Sequence, residues 1–137
     1  MLTRDSAFTE RLFQEAICLL HETREYMQWQ APLDLNTLSM QDSLFLSCEV
    51  TRVTARLTEI VAWLLAEKAQ QMGQIPELNF SSRPRLSGDE ICIADSCKTC
   101  PVSIPPKLYE LLDKTRNLYI RLLRLEKMLE VNENHYD

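Results

Sequence analysis

Apolar side chains recur along this chain at intervals of three and four residues in three separate stretches, the spacing of amphipathic helices. In the first stretch Phe8, Leu12, Ala16, Leu19, Thr23 and Met27 form a stripe widened by Phe13, Leu20 and Tyr26, which predicts a helix over about 6–30. Asp5 or Ser6 can cap its start. Pro32 is expected to stop it past Ala31, since proline lacks an N–H and disfavours helical geometry in the residue before it. A connector, Pro32 to Leu38, leads to the second helix, predicted over about 39–72, with Ser39 and Asp42 in a spacing close to a capping box. Leu46, Val50, Val53, Leu57, Ile60 and Leu64 keep a 4-3-4-3-4 rhythm, the seam of a coiled-coil-like bundle. Beside it runs a line of small residues seven apart, Cys48, Ala55, Ala62 and Ala69, and two adjacent seams predict a wide buried face. Gly73 is placed as the C-cap.

Pro105 and Pro106 suit the first turn of a third helix over about 105–131, with Ser103 as a candidate cap. Its seam of Leu108, Leu111, Thr115, Leu118, Leu122, Leu125 and Leu129, flanked by Leu112 and Tyr119, matches the second helix in period and length, so an antiparallel pairing of these two is expected. The polar tail, Val131 to Asp137, is expected to fray. Residues 73–104 carry no sustained period, yet Ile75, Leu78, Phe80, Leu86, Ile91 and Ile93 are apolar enough to pin this long loop to the body. The predicted architecture is therefore all-α: one domain over 1–137, a three-helix antiparallel bundle with a long loop between helices 2 and 3.

Composition narrows the function. Only two glycines, Gly73 and Gly88, occur in 137 residues, so no dinucleotide fingerprint, phosphate loop or nucleophile elbow can be written in this chain. A net charge of −5, with both signs interleaved, argues against a nucleic-acid binder. The first nine residues lack a signal peptide's apolar stretch and no apolar run reaches membrane-spanning length, which points to the cytoplasm and away from a membrane. In that reducing compartment the five cysteines are expected as free thiols.

Several residues invite a chemical reading. Cys92, Cys97 and Cys100 carry a C-x4-C-x2-C spacing suited to a zinc ligand set or a redox pair, but no second pair completes a tetrahedral site, and His21 and His135 lie far off in the sequence. Cys18 and Cys48 occupy helical positions expected to face the core as small hydrophobes. Glu15, Glu22, Glu25, Glu49 and Glu59 lack the Glu-x-x-His pairing of a carboxylate metal site and read as a solvated face. On one strip of helix 2, Arg52, Arg56, Glu59 and Trp63 lie alongside Glu49. They read either as intrahelical ion pairs or as an interface, since tryptophan and arginine dominate interface hot spots. Trp29, at the end of helix 1, reads as a lid on the bundle. No cofactor and no metal is expected.

The run Glu49-Val-Thr-Arg52-Val-Thr54-Ala-Arg56-Leu57, continuing to Ala62-Trp63-Leu64-Leu65, resembles the E-S-x-R-L-T-x-R-L…S-W-L-L signature of the RcdA family, named for the regulator of CtrA degradation. Glu15-Ala-Ile-Cys-Leu-Leu20-His-Glu22-Thr23-Arg-Glu-Tyr26 is similar to the same family's E-G-M-x-L-V-E-E-T-x-x-Y segment. The resemblance implies a three-helix homodimer and a non-enzymatic adaptor for the ClpXP protease in bacterial cell-cycle control. Its implied partners are ClpX, a CpdR-like response regulator, and a cargo transcription factor such as CtrA or a second adaptor, with recruitment to the cell pole. Mapped onto this chain, Glu49, Arg52, Thr54, Arg56 and Trp63 are the expected partner or dimer surface. A competing expectation makes the protein a thiol- or zinc-dependent regulator working through Cys92, Cys97 and Cys100.

Overall fold

A computed structural model of the chain describes residues 6–73, 84–95 and 102–136. The elements are α1 (Ser6–Glu25), a π-helical turn (Tyr26–Gln30), α2 (Ala31–Asn36), α3 (Met40–Gln71), the single-turn α4 (Glu90–Ile93) and α5 (Pro106–Tyr136). The fold is all-helical, with no strand among the described residues.

Pro32 does not end the first helical run. The N–H of Ala31 bonds to the carbonyl of Tyr26, five residues back instead of four. This widened turn shifts the hydrogen-bond register, so Pro32 falls in the first turn of α2, where a missing N–H costs nothing. The expected connector from Pro32 to Leu38 shrinks accordingly to the residues between Asn36 and Met40. Buried Tyr26 secures the junction by donating its hydroxyl to Asp34 Oδ2 at 2.9 Å. Burial, and then the bond to the Asp34 carboxylate, drives the Tyr26 pKa well above its ordinary value.

The ends of α3 follow the sequence reading. Ser39 Oγ accepts the Asp42 N–H at 3.2 Å, and Gly73, at φ +70°, closes the far end in the left-handed region that favours glycine. The tail expected to fray continues α5 to Tyr136, consistent with the absence of glycine and proline from residues 131–136.

Cross-links between the long helices set their directions. At the start of α1, Thr9 and Glu10 meet Gln71 (3.2 Å) and Lys68 (2.8 Å) near the end of α3, so these two helices run antiparallel. Glu15 pairs with Arg121, and Glu22 lies 3.7 Å from Lys107, so α1 is antiparallel to α5 as well. Helices α3 and α5 are therefore parallel: Arg56 reaches Leu112 and Thr115, and Glu59, further along α3, reaches Tyr119, further along α5. This corrects the antiparallel pairing expected for helices 2 and 3. Matching seams establish which faces meet but not the direction of travel. The connection from 72 to 105 is long enough to retrace the roughly 48 Å of α3 and start α5 beside its beginning.

The core joins Leu12, Ala16 and Leu19 of α1 to Leu46, Val53, Leu57, Ile60 and Leu64 of α3 and Leu108, Leu111, Leu118 and Leu122 of α5. The second buried line on α3 is not the small-residue seam. Cys48 and Ala62 are exposed and Ala55 and Ala69 half-buried, while Glu49, Arg56 and Trp63, also seven apart, turn inward together with Glu67. Cys18, expected at the core, is exposed too.

Candidate functional site

The central described part of the connection, residues 84–95, lies in the groove between α3 and α5 as a strap, and three arginines hold its carbonyls. Arg56 has its whole side chain buried. Its Nε donates to the Cys92 carbonyl (2.8 Å), Nη2 to the Ala94 carbonyl (2.8 Å), and Nη1 to the Leu112 carbonyl (2.9 Å) and Thr115 Oγ1 (3.3 Å). Arg52 Nη1 donates to the Ile91 carbonyl at 2.7 Å while its Nε faces Glu49 at 3.4 Å. From the opposite wall, Arg116 Nε donates to the Ile93 carbonyl at 2.8 Å and faces Asp95 Oδ1 at 3.3 Å. The Glu90 carbonyl of this one-turn helix accepts the Ala94 N–H, and the carbonyls that follow it, from Ile91 to Ala94, are the groups that the three guanidinium groups satisfy. Burial lowers the Arg56 pKa to about 10, which leaves the fork charged at neutral pH.

Carboxylates do the reciprocal work on the strap's N–H groups. Glu59 Oε1 accepts the Ser87 N–H (2.6 Å) and the Tyr119 hydroxyl (2.9 Å), and Oε2 accepts the Ser87 hydroxyl (2.8 Å) and the Cys92 thiol (3.2 Å). The Tyr119 oxygen in turn accepts the Gly88 N–H at 3.0 Å, and Glu126 Oε2 accepts the Leu86 N–H at 3.1 Å. Gly88 sits at φ +67°, a conformation that side-chain-bearing residues rarely adopt. Burial pulls the Glu59 pKa upward, but the donors from Ser87, Cys92 and Tyr119 outweigh it and hold the carboxyl below its ordinary value. Burial, and then the neighbouring Glu59, pushes the Cys92 thiol up to about 11.

The outer side of α3 has the opposite character. Every exposed residue from Leu44 to Leu65 is uncharged, while the charged residues of that stretch, Glu49, Arg52, Arg56 and Glu59, are buried or half-buried. The threonine hydroxyls there turn back onto their own helix: Thr51 to the Ser47 carbonyl (2.9 Å), Thr54 to Val50 (3.1 Å) and Thr58 to Thr54 (2.8 Å). Their polar atoms are thereby satisfied within the helix. Between this face and α1 opens a groove of about 850 Å³, walled by Leu20, Met27, Val61 and Leu65 among others.

The residues expected at a partner surface are thus divided by the fold. Glu49, Arg56 and Trp63 lie in the interior, Arg52 at its edge, and only Thr54 is exposed. Arg56 and Trp63 cannot present side chains to a partner, because the strap and α5 already occupy the Arg56 fork and Trp63 is core. Of the residues expected in the solvated set, Glu59 anchors the strap and Glu49 is buried beside Arg52; Trp29 is exposed and does not lid the core. Of the cysteine loop, Cys97 and Cys100 lie outside the described residues. Cys92 is fully buried with its thiol committed to Glu59, which disfavours the thiolate that metal binding or redox chemistry requires. Among the described residues no cluster of histidine, cysteine or carboxylate side chains could hold a metal ion. No described helix is long and apolar enough to cross a membrane. Leu86 and Ile93 pin the strap as expected, Ile91 is exposed, and Ile75, Leu78 and Phe80 lie outside the described residues. Sequence reasoning did not find Arg116, Ser87 or Glu126. Thr115 and Tyr119, polar members of an otherwise leucine-rich seam, were the signal that something polar docks on α5.

Fold and site together define a small helical protein in which paired charges serve architecture and an uncharged helix face is turned outward. The chain belongs to the family DUF1465, described as a protein of unknown function, whose pattern matches residues 2–137. Among solved structures it is similar to RcdA from Caulobacter crescentus CB15, with a TM-score of 0.71 and 26% sequence identity over 94% of this chain and 95% of that one. The resemblance read from the helix motifs therefore extends across nearly the whole fold. No curated protein matches the chain.

Proposed function

We propose that this protein is a non-enzymatic adaptor that delivers regulatory proteins to the ClpXP protease, as its resemblance to RcdA implies. The observation that carries the reading is the likeness to RcdA over 94% of the chain at 26% identity. Two features of the site support it. The charged constellation of α3 is consumed by holding the strap, so it offers no reacting group to a substrate. The exposed surface is instead rich in large apolar side chains, including Trp29, Leu33, Met40 and Leu44, the material of protein docking. An adaptor of this kind accelerates proteolysis by raising the effective concentration of cargo at the protease, with no chemical step of its own.

In this reading ClpX and a CpdR-like response regulator are the partners, a transcription factor such as CtrA or a second adaptor is the cargo, and the protein works in the cytoplasm as a homodimer of three-helix bundles. The test is reconstituted ClpXP degradation of candidate cargo with the cognate CpdR-like regulator, with and without the protein. Faster cargo loss only when the protein is present supports the adaptor role. An unchanged rate with folded protein overturns it for that cargo. Trp29→Ala and Leu33→Ala are the informative variants, because both residues are exposed and their loss leaves the core intact.

A further inference from the structure

We propose that the groove beside the π-helical turn, between the end of α1 and the start of α5, receives an arginine side chain presented by a peptide segment of a partner protein. The proposal rests on the docking role read above and deepens it by naming the chemistry that the partner offers. Three observations carry it.

First, the fold leaves a tryptophan in water beside a cavity. Trp29 lies within the π-helical turn, its indole is 69% exposed, and it walls a groove of about 480 Å³. Such turns are rare and occur frequently at functional sites, and tryptophan is among the commonest anchors of protein interfaces. Second, carboxylates outnumber cations there. Glu22, Glu25 and Asp34 line the groove against one lysine, Lys107. That lysine is already engaged, 3.7 Å from Glu22 and 3.4 Å from Glu110. Glu25 has the exposed imidazole of His21 at 3.7 Å, and Asp34 accepts the Tyr26 hydroxyl and the Gln30 amide at 2.9 Å each. Among the described residues no lysine or arginine pairs with either of these two carboxylates. Third, the opposite wall gives an anion little hold. Pro105 and Pro106 stand at the start of α5, so two of the N–H groups that a helix start usually leaves free are missing.

Together these features select a guanidinium. Its flat face stacks on an indole, and its forked donors suit two carboxylates that line one groove, whereas an ammonium acts as a point charge. The Tyr26 and Gln30 bonds fix Asp34 in advance, which lowers the ordering cost of binding. An acidic segment meets like charge here. A purely apolar one would cover the carboxylates without pairing them.

The test uses small probes on the intact protein, so it does not depend on knowing the partner. The capped tripeptide acetyl-Ala-Arg-Ala-amide is titrated to millimolar concentration against isotope-labelled protein, and NMR follows the Trp29 indole and the amides of residues 22–34. The expected result is a saturable shift confined to that segment and the start of α5. It is expected to be weaker with the lysine tripeptide and absent with the citrulline one, which keeps the shape of arginine without its charge. Trp29→Ala and Glu25→Gln are each expected to weaken binding about fivefold or more. Both side chains are exposed, so the fold survives, and circular dichroism checks this. No shift with any tripeptide, or equal shifts with arginine and citrulline, overturns the proposal. A lysine tripeptide that binds as tightly as the arginine one overturns the guanidinium assignment, and binding that withstands both substitutions removes the site from this groove. Cargo delivery separates this proposal from the adaptor reading. Arginine binding in a protein that leaves ClpXP degradation unchanged supports the groove and counts against the adaptor. Normal delivery with a groove that ignores arginine overturns the groove alone.

Discussion

Replacing Arg56 separates the two things that a buried arginine can do. In Arg56→Met the strap loses the donors to the Cys92 and Ala94 carbonyls, while the Leu112 carbonyl keeps the N–H of its own helix's next turn. Two charge-assisted bonds at about 1.5–3 kcal/mol each set a gross loss of about 3–6 kcal/mol. Removing the cation also removes its desolvation cost, so the net loss is expected at about 1–3 kcal/mol. Arg56→Lys keeps the buried charge but loses the fork, since one ammonium cannot reach carbonyls on both sides of the guanidinium plane. The lysine variant is therefore expected to be less stable than the methionine variant by about 1 kcal/mol or more, although it is the more conservative change. Urea unfolding ranks the three proteins, and native-state hydrogen exchange locates the damage. The Cys92 and Ile93 amides, bonded only to the Asp89 carbonyl, should lose protection far beyond the global change, while amides in the middle of α3 follow it. A lysine variant as stable as wild type, or a methionine variant with both stability and strap protection intact, would refute the clamp.

Glu59→Gln removes the charge and turns one of the two oxygens that gather Ser87, Cys92 and Tyr119 into a donor that faces their N–H, O–H and S–H groups, and is expected to cost about 1–3 kcal/mol in thermal or urea unfolding. The Glu59 pKa is lower in the folded protein than in the unfolded chain, so its contribution is complete above the ordinary carboxylate range and lost as pH falls through the folded value. Stability measured from pH 6 downward should therefore fall less steeply in Glu59→Gln than in wild type. Cys92, with its pKa at about 11 and no exposed surface, is expected to resist iodoacetamide at pH 8 by at least about 100-fold relative to exposed Cys18, measured by mass spectrometry of the native protein. Trp63→Ala is expected to cost about 3–5 kcal/mol in urea unfolding by opening a cavity in the core, against about 0.5 kcal/mol or less for exposed Trp29→Ala.

The extent of α3, its Ser39 cap and its Gly73 stop were legible because each rests on neighbours in the sequence. The end of the first helix was not, because a single wide turn at Tyr26–Gln30 reset the register that makes Pro32 a breaker. Periodicity also could not distinguish the two seven-residue lines on α3. Cys48, Ala55 and Ala62 are small and apolar, Glu49 and Arg56 charged, and hydropathy alone sends the first line inward. The fold does the reverse, because the strap supplies partners that the sequence pattern does not reveal: carbonyls for Arg56 and N–H groups for Glu59. The same missing information reversed the direction of α5, since the strap is also what brings the chain back along α3.

The inversion of α3 follows from that topology. Two parallel helices joined in sequence need a return segment, and a segment laid in a groove carries backbone polar groups that only interior side chains can satisfy. Charged residues on α3 meet this need most strongly, and moving them inward empties the helix's outer positions of charge. A face so emptied is uncharged at every exposed position from Leu44 to Leu65. On this argument, the fold divides the Arg52-x-Thr54-x-Arg56 stretch between two sides of one helix. Its arginines hold the strap on one side of α3, and Thr54, with its hydroxyl turned back to Val50, leaves the other side without charge.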